Sequence, residues 1–316
     1  AYTALKGRKG TVGVYNYRTG EILCMVSSPS FDPHNPAVVD KNPERYEGVY
    51  INRFLSAAYT PGSVFKLVTS AAIIDNLENI DAIVYHCDGK VIIKGVMVTC
   101  PSPHGNVTFE QALAHSCNVA FAEATQSLGA EKLQEYSDMA GFNSSLQVDG
   151  IKTVPGRVNV VNASGGDLAW AGIGQYNNTA NPLNFLAYVG SIGNEGILIP
   201  PRILKGNFLT DLLRPITGKK RILSEETANK LGTMMRKNVL NNYGEGKYQG
   251  LQLCAKSGTA QVGEDKAPHA WFVGYLDRED YPLAFVVVVE NGGSGSNVAG
   301  PIASTVLKAA VKNFKE

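Results

Sequence analysis

Short, mostly apolar runs bounded by polar and glycine-containing turns lie near both ends of the chain and predict β-strands. The strand-like runs are residues 11–15, 22–27, 251–255, 270–276 and 283–290. A polar turn containing a glycine separates the first two runs, which is typical of a β-hairpin. Because these patterns lie at the two ends of the chain, we expect the ends to build one sheet together.

The middle of the chain shows the three-to-four-residue apolar spacing of helices. Helical runs lie at 63–74, 108–114, 119–128, 131–141, 182–190, 224–239 and 300–314, and an insert at 85–106 holds two short strand-like runs. The pattern predicts an α/β fold in which residues 1–316 form a single domain. Its α/β subdomain would comprise about 1–60 and 220–316, and its mainly helical subdomain about 61–219.

Composition limits the classes of function. The chain has 316 residues, of which 44% are hydrophobic and 18% charged, which is enough for a sizeable core. The net charge is +1 and no long block of like charges occurs, so the sequence lacks the footprint of a nucleic-acid-binding protein. The longest apolar run, 283–289, is too short to span a membrane. Since the chain opens on Ala1, we expect it to be a fragment of a longer protein.

A serine and a lysine stand at the start of the first long helical pattern. Pro61 and Gly62 break the preceding structure, and Ser63 and Lys66 follow three residues apart. Residues at this spacing share a helix face, so the amine can reach the hydroxyl. A helix N-terminus also favours a developing oxyanion. Alone, the pair is better explained as a helix cap and a solvated lysine, because a single S-x-x-K is expected by chance in a chain of this size.

Two further motifs change this balance. Ser116-Cys117-Asn118 interrupts a helical pattern, where a hydroxyl and a carboxamide can face a cleft. Lys256-Ser257-Gly258-Thr259 follows a strand-like run, and its glycine allows a ligand to lie close to the backbone. The motifs S-x-x-K, S-x-N and K-[ST]-G each occur once, in this order, and together they characterise penicillin-binding proteins and class A β-lactamases.

With these motifs the chain resembles the penicillin-binding proteins, and most closely the class B monofunctional transpeptidases of bacterial cell-wall synthesis. The resemblance covers nearly the whole chain and includes 19–27, 59–63, 172–175 and 269–275. It implies the penicillin-binding-protein/β-lactamase-like α/β fold, an antiparallel sheet built from both chain ends and flanked by helices, with an all-helical lobe from the middle of the chain. A membrane anchor and a pedestal domain would precede this chain.

The resemblance also implies the catalytic roles. Ser63 would attack the carbonyl of a D-Ala-D-Ala stem peptide and form an acyl-enzyme, with Lys66 as the general base. Ser116 would relay the proton to the leaving amine, and Asn118 would orient both Lys66 and the substrate amide. Burial and the nearby cation of Lys256 would lower the pKa of Lys66, since an unperturbed lysine is a poor base at neutral pH.

The third motif would bind substrate. By the same resemblance, Lys256 supplies positive potential for the terminal carboxylate, the Ser257 and Thr259 hydroxyls bind it, and Gly258 lies close to the ligand. The backbone N–H groups of Ser63 and Thr259 would form the oxyanion hole. Catalysis of this kind requires no cofactor.

The implied partners are peptidoglycan stem peptides, β-lactam antibiotics and a glycan polymerase, with no nucleic acid. A protein of this family would act at the extracytoplasmic face of the bacterial cell membrane, which it would contact only through a segment outside this chain.

Three other functions share the motifs: a DD-carboxypeptidase, a serine β-lactamase and a non-catalytic β-lactam sensor. A class A β-lactamase places a glutamate in an Ω-loop to hydrolyse its acyl-enzyme. Residues 143–184 contain Asp149 and Asp167 but no glutamate, which favours a transpeptidase. Asn118 argues against class D enzymes and related sensors, whose second motif usually ends in an apolar residue.

Five cysteines complete the candidate chemistry. Cys24 and Cys254 lie in apolar runs and are expected to be buried. Cys87, Cys100, His104 and Cys117 form a set of three thiols and one imidazole suited to tetrahedral zinc, with His86 and His115 as reserve ligands.

Three states of this set remain open: a structural zinc site, a Cys87–Cys100 disulfide and free thiols. Cys117 lies between two residues expected to face the cleft, so its own side chain should face the insert. Four protein ligands would leave no open position on the metal, so zinc here would be structural and would brace the 116–118 loop.

Overall fold

A computed structural model describes residues 1–36, 43–204, 218–263 and 265–314. Its strands are β1 Gly10–Asn16, β2 Ile22–Ser28, β3 Val84–Cys87, β4 Lys90–Ile93, β5 Val96–Thr99, β6 Gly105–Thr108, β7 Gln147–Val148, β8 Ile151–Lys152, β9 Ile197–Leu198, β10 Lys220–Arg221, β11 Leu253–Ala260, β12 His269–Leu276 and β13 Leu283–Val289. Its helices are α1 Tyr2–Leu5, α2 Pro43–Tyr46, α3 Lys66–Asn76, α4 Phe109–His115, α5 Asn118–Leu128, α6 Ala130–Met139, α7 Gly166–Gly172, α8 Pro182–Gly193, α9 Glu225–Asn238 and α10 Gly300–Asn313.

The two ends of the chain build one antiparallel sheet, as predicted. Its strand order is β11-β12-β13-β1-β2, so β1 from the N-terminal end pairs with β13 from the C-terminal end. All seven residues of β13 are buried, and they alternate between two hydrophobic layers. Val286 and Val288 pack in the layer that includes α8, whereas Val287 and Val289 pack in the layer that includes α10. The strand therefore reads as a continuous apolar run because both faces of the sheet are covered.

The middle of the chain is mostly helical, with short hairpins in the insert. The insert contains four short strands where two strand-like runs were expected: β3 pairs with β6, and β4 pairs with β5. The predicted cap of α4 is also present: Thr108 and Gln111 form a reciprocal capping box. No helix in the described ranges has the length and apolarity needed to cross a membrane.

Three helices were not predicted: the short α1 and α2, and the longer α7. Helix α7 lies in a glycine- and asparagine-rich stretch whose composition disfavours helices. Two of its glycines allow close packing: a Cβ at Gly166 would lie 2.2 Å from Val96 Cβ, and one at Gly172 would lie 2.1 Å from Thr125 Oγ1. Tertiary packing against α5 and the insert thus overrides local propensity.

Candidate active site

Ser63 lies in a tight 3₁₀ turn, Gly62–Val64, that leads directly into α3. Gly62 has a φ of +56°, donates its backbone N–H to Gly174 O over 2.9 Å, and would place a Cβ 2.9 Å from Thr259 O. Glycine is therefore required by both its conformation and its close approach to β11. The turn holds the half-buried Ser63 at the wall of a cleft of about 340 Å³.

Lys66 begins α3, a helix that is buried from Lys66 to Ile73, as its all-round apolar pattern predicted. Its Nζ donates to Ser116 O at 2.7 Å and to Asn118 Oδ1 at 2.8 Å, and lies 3.3 Å from Ser116 Oγ. Among the described residues Ser63 Oγ has no hydrogen-bond partner, so the hydroxyl–amine contact expected from the i, i+3 spacing is not formed in this structure.

The second motif lies between α4 and α5. Ser116 ends α4 in the left-handed conformation with a φ of +56°, and Cys117 caps α5 through its Sγ. The side chain of Asn118 is held at both ends, because Oδ1 accepts from Lys66 and Nδ2 donates to Thr99 O over 2.7 Å. The expected orientation of Lys66 by Asn118 is therefore observed, and the insert contributes to it through Thr99.

The third motif occupies the edge strand β11. Lys256 is 1% exposed, and its Nζ donates to Ser116 Oγ and to Ser257 O, both at 3.0 Å. Side chains alternate along a strand, and Ser257 and Thr259 both line the cleft.

Gly258 makes a close contact that the sequence did not reveal. A Cβ at this position would lie 2.8 Å from Pro61 O and 3.1 Å from Val64 Cγ1. The position faces the nucleophile turn and not the ligand side of the strand, because its two neighbours face the cleft. Glycine is needed so that β11 and the Ser63 turn can touch.

Burial controls the charge of both lysines. It lowers the pKa of Lys66 to about 7, against the opposing effect of nearby Cys100 and Cys117. The pKa of Lys256 is well below its ordinary value, first because of burial and then because of the charge of Lys66. The low pKa of Lys66 was predicted, but its cause is burial; the pair effect acts on Lys256.

Several cleft residues were not assigned by sequence reasoning. Thr99, Trp170, Gln175 and Gln261 line the cleft beside the motif residues. Gln175 belongs to a stretch that carries the family resemblance, whereas the others have no local signal, because distant parts of the chain bring them together.

Cys87, Cys100, His104 and Cys117 form a compact cluster behind the second motif. Their four ligand atoms all lie within 4.8 Å of one another. Cys100 Sγ is 3.8 Å from Cys117 Sγ, and Cys87 Sγ is 3.5 Å from His104 Nδ1. As expected, Cys117 points away from the cleft and towards the insert. All five cysteines fall in the described ranges, and the structure contains no disulfide between them.

Backbone amides stabilise negative charge on this cluster. Cys100 Sγ accepts the backbone N–H groups of Asn118 at 3.0 Å and Val119 at 3.4 Å. The hydrogen bond with Cys117 and, after it, these backbone amides lower the pKa of Cys100 to about 5, against the effect of burial. The same bond and burial raise the pKa of Cys117.

The reserve ligands lie outside the cluster. His86 is exposed and bonds Asn106 and Asp88, and His115 stacks on the ring of His104. Of the two cysteines expected to be buried, Cys254 is buried and Cys24 is half-buried.

Comparisons with known proteins agree with this geometry. Residues 10–308 match the penicillin binding protein transpeptidase domain. The chain is 29% identical to the peptidoglycan D,D-transpeptidase PbpA of Mycolicibacterium smegmatis, over 96% of this chain and 67% of that protein. It is also 29% identical to stage V sporulation protein D of Bacillus subtilis, over 93% of this chain and 47% of that protein.

A solved structure shares the fold. Penicillin-binding protein A of M. tuberculosis, determined as a ceftriaxone acyl-enzyme complex, superposes with a TM-score of 0.84 at 28% identity, over 96% of this chain and 74% of that chain. The predicted resemblance to class B enzymes is thus confirmed. The chain belongs to the penicillin-binding protein transpeptidase domain family.

Proposed function

We propose that the chain is a serine D,D-transpeptidase that cross-links peptidoglycan stem peptides through an acyl-enzyme on Ser63, and that β-lactams trap this intermediate. One observation carries the proposal. The buried amines of Lys66 and Lys256 both reach Ser116 Oγ, at 3.3 and 3.0 Å, beside the cleft that Ser63 lines. This is an activated-nucleophile arrangement without a histidine–carboxylate pair.

Lys66 is built to be a base. A neutral amine has two hydrogens and one lone pair, and its two short bonds to Ser116 O and Asn118 Oδ1 use both hydrogens. The lone pair is left to take the Ser63 proton as Oγ attacks the carbonyl carbon. With a pKa of about 7, a substantial fraction of Lys66 is neutral at physiological pH.

Ser116 connects the base to the leaving group. As the tetrahedral intermediate collapses, the bond from the carbonyl carbon to the leaving D-Ala nitrogen breaks. That nitrogen takes the Ser116 hydroxyl proton, and Ser116 recovers a proton from Lys66. Lys256 Nζ, 3.0 Å from Ser116 Oγ, stabilises the oxygen while it is between protons. An acceptor amine then attacks the ester, and the same steps run in reverse.

The edge strand supports the proposed oxyanion hole. Ser257 donates its backbone N–H to Tyr243 Oη, away from the β12 partner strand. Since alternate residues of an antiparallel strand direct their backbone groups to the same edge, Thr259 N–H also faces the open edge. The Ser63 turn packs there, because Gly62 lies beside Thr259 O.

The cleft lining bears on one competing function, the class A β-lactamase. Such an enzyme uses a glutamate in an Ω-loop to hydrolyse its acyl-enzyme. Among the described residues that line the cleft, none is an aspartate, glutamate or histidine. The lining therefore supplies no counterpart of that glutamate, which disfavours a class A β-lactamase.

Intact-mass measurement during incubation with benzylpenicillin tests the assignment. We expect a one-to-one adduct that persists for many minutes in the parent protein and is lost in Ser63→Ala. No adduct in the parent would refute the nucleophile, and rapid return to the free mass with drug consumed would indicate a β-lactamase. Transfer of a stem-peptide acyl group to an added amine separates a transpeptidase from a carboxypeptidase and from a sensor.

We also propose that the cysteine–histidine cluster holds one structural zinc ion. With Zn–S bonds of about 2.3 Å and Zn–N bonds of about 2.0 Å, a tetrahedral site requires S···S of about 3.8 Å and S···N of about 3.5 Å. The cluster has 3.8 Å between Cys100 and Cys117 and 3.5 Å between Cys87 and His104. The backbone N–H groups on Cys100 Sγ supply the outer shell that such thiolates require.

Native mass spectrometry with metal analysis tests the zinc proposal. We expect one zinc per chain in the parent and in Cys24→Ser, a cysteine outside the cluster, and loss of zinc in Cys87→Ser. A parent mass lower by two hydrogens and without metal would establish a disulfide, and an unmodified metal-free mass would establish free thiols; either result overturns the proposal.

Finally, we propose that the protein acts at the extracytoplasmic face of the bacterial membrane beside a glycan polymerase. Support comes from the peptidoglycan activity in the name of the PbpA relative and from the family. Co-purification of a polymerase with the full-length protein from detergent-solubilised membranes tests this. Recovery of the protein from the cytoplasmic fraction, with no polymerase bound, would contradict it.

A further inference from the structure

A buried tyrosine touches the third motif from behind. Tyr243 ends a π-helical turn, Val239–Tyr243, that follows α9, and it is 9% exposed. Its Oη lies 2.9 Å from Ser257 Oγ and accepts the Ser257 backbone N–H at 2.7 Å. No sequence motif marks this residue, since the contact bridges fourteen positions and depends on the π turn.

The proton count fixes the direction of the bond between the two hydroxyls. Burial raises the pKa of Tyr243, so it keeps its proton. The Tyr243 hydroxyl is directed at Ser257 Oγ over 2.9 Å, while its own oxygen accepts the Ser257 N–H, and the Asn238 side chain also hydrogen-bonds this tyrosine. Tyr243 therefore donates to Ser257 Oγ, and the Ser257 proton is free to point into the cleft.

Thr259 is arranged in a similar way. Its Oγ1 accepts the backbone N–H of Gly295 at 3.4 Å, so its hydroxyl proton is also free. Ser257 and Thr259 both line the cleft and lie on the same face of β11. The strand thus presents two hydroxyl donors whose acceptor sides are occupied, which suits a carboxylate, an acceptor-only group.

We propose that Tyr243 is a positioning residue that acts through Ser257, holding its hydroxyl as a donor to the carboxylate of the stem peptide or β-lactam. The assignment rests on the proposed function, and it adds to the three motifs a residue that touches none of the reacting atoms. Its ring is anchored by Phe272, with centroids 5.3 Å apart, and α9 is tied to β11 by Asn238 Nδ2 donating to Ala255 O at 2.9 Å.

Tyr243→Phe removes the hydroxyl and keeps the ring. We expect the second-order rate of acylation by benzylpenicillin to fall about tenfold, because a hydrogen bond to a charged group loses its alignment. The loss should appear in the binding constant and not in the acylation step. The matched control is Tyr248→Phe. The Tyr248 ring also stacks on Phe272, with centroids 5.8 Å apart, but its hydroxyl forms no hydrogen bond with Ser257 among the described residues. The acylation rate of this control should stay within about twofold of the parent.

Two further measurements isolate the route through Ser257. In a Ser257→Ala background, adding Tyr243→Phe should cause no further loss, since the group it positions is gone. With benzylpenicillin methyl ester, which lacks the carboxylate, Tyr243→Phe and the parent should react at equal rates. Additive losses in the double variant, an equal penalty on the ester, or a Tyr243→Phe rate matching Tyr248→Phe would each overturn the proposal.

The experiments distinguish a failure of the proposed function from a failure of the Tyr243 assignment and from misfolding of a variant. Absence of any adduct in the parent would refute the proposed function and this assignment with it, whereas parent acylation with an unaffected Tyr243→Phe refutes this assignment alone. If Tyr243→Phe does not fold, Ser257→Thr provides the test, because it retains the oxygen that Tyr243 contacts. Its rate should stay within about threefold of the parent while Ser257→Ala falls about tenfold; a Ser257→Thr rate as low as Ser257→Ala would contradict the proposal.

Discussion

Two clusters of reactive side chains lie on opposite sides of the Ser116–Asn118 segment, and they are held in different ways. On the cleft side, Lys66 and Lys256 reach Ser116 from α3 and β11, and their side chains are 0% and 1% exposed. Both elements are embedded in the main core, so the positions of the amines depend on packing of the whole domain.

On the other side, the cysteine–histidine cluster lies on the insert. Strands β3 to β6 bury only some of their residues, and the tip of the hairpin exposes Ile92 by 66% and Met97 by 51%. The buried residues of these strands, among them Tyr85, Val98 and Val107, belong to the same hydrophobic core as α3. The two lysines are thus held by core packing, whereas the insert combines partial packing against that core with a cysteine–histidine cluster for which we propose a metal.

The largest expected effect on acylation comes from Lys66→Met. This substitution removes the base and retains an unbranched side chain of similar length. We expect acylation by benzylpenicillin to slow by about 10³- to 10⁴-fold, the upper range for loss of a general base. The melting temperature should not fall, because burying the amine opposes folding. Thermal melts measured alongside acylation separate the loss of activity from any loss of stability. An acylation rate within tenfold of the parent would show that Lys66 is not the base.

Metal removal should lower the melting temperature as well as the acylation rate. Treatment with a chelator should lower the melting temperature by roughly 5–10 °C, because binding energy at a structural site contributes to folding. The acylation rate should fall about 10- to 100-fold, the range seen when a group that orients active-site residues is lost. The coupling path is short, since Cys117 lies between Ser116 and Asn118 and the insert's Thr99 holds Asn118.

Zinc add-back provides the control. It should restore both the melting temperature and the acylation rate, while Cys24→Ser should respond to chelation and add-back like the parent. An unchanged melting curve after verified metal loss would show that the insert is stable by itself.

The pH dependence of acylation tests whether Lys66, on the cleft side, acts as the base. The reactive form of Lys66 is the neutral amine, so the rate should rise as pH increases through its pKa of about 7. Between pH 6 and pH 8 the neutral fraction, and with it the rate, increases about tenfold. Stopped-flow acylation across this range checks the sign, with benzylpenicillin charged throughout; a flat or falling profile would contradict the assignment.

Residue patterns predicted some features of the site well because the relevant physics is local. The capping box of Thr108 and Gln111, the hairpin β1–β2 and the three motifs all depend on spacing within a few residues. The subdomain boundaries near 60 and 220 stay predictions. Helix α7 was not predicted because its glycines suggested turns, whereas in the structure they allow close packing against the insert and α5.

Longer-range features were out of reach for a related reason. The role of Gly258 follows from its contact with Pro61, and that of Tyr243 from a π turn that delivers its hydroxyl to β11. Neither contact has a local pattern. By contrast, the cysteine–histidine set was found from the sequence because thiol and imidazole groups are rare enough to be counted, although spacing alone did not decide between metal and disulfide.

The smallest expected effect separates two histidines that the sequence did not distinguish. His86 is exposed, and its ring nitrogens bond Asn106 and Asp88, whereas His104 Nδ1 faces Cys87. His86→Ala should therefore keep one zinc per chain, the parental acylation rate and a melting temperature within about 2 °C of the parent. His104→Ala, the matched variant, should lose zinc and behave like the chelated protein. Zinc content and thermal melts of the two variants identify the ligands. Loss of zinc in His86→Ala would show that His86 is a ligand. Retention of zinc in His104→Ala would show that the three thiolates bind zinc without His104.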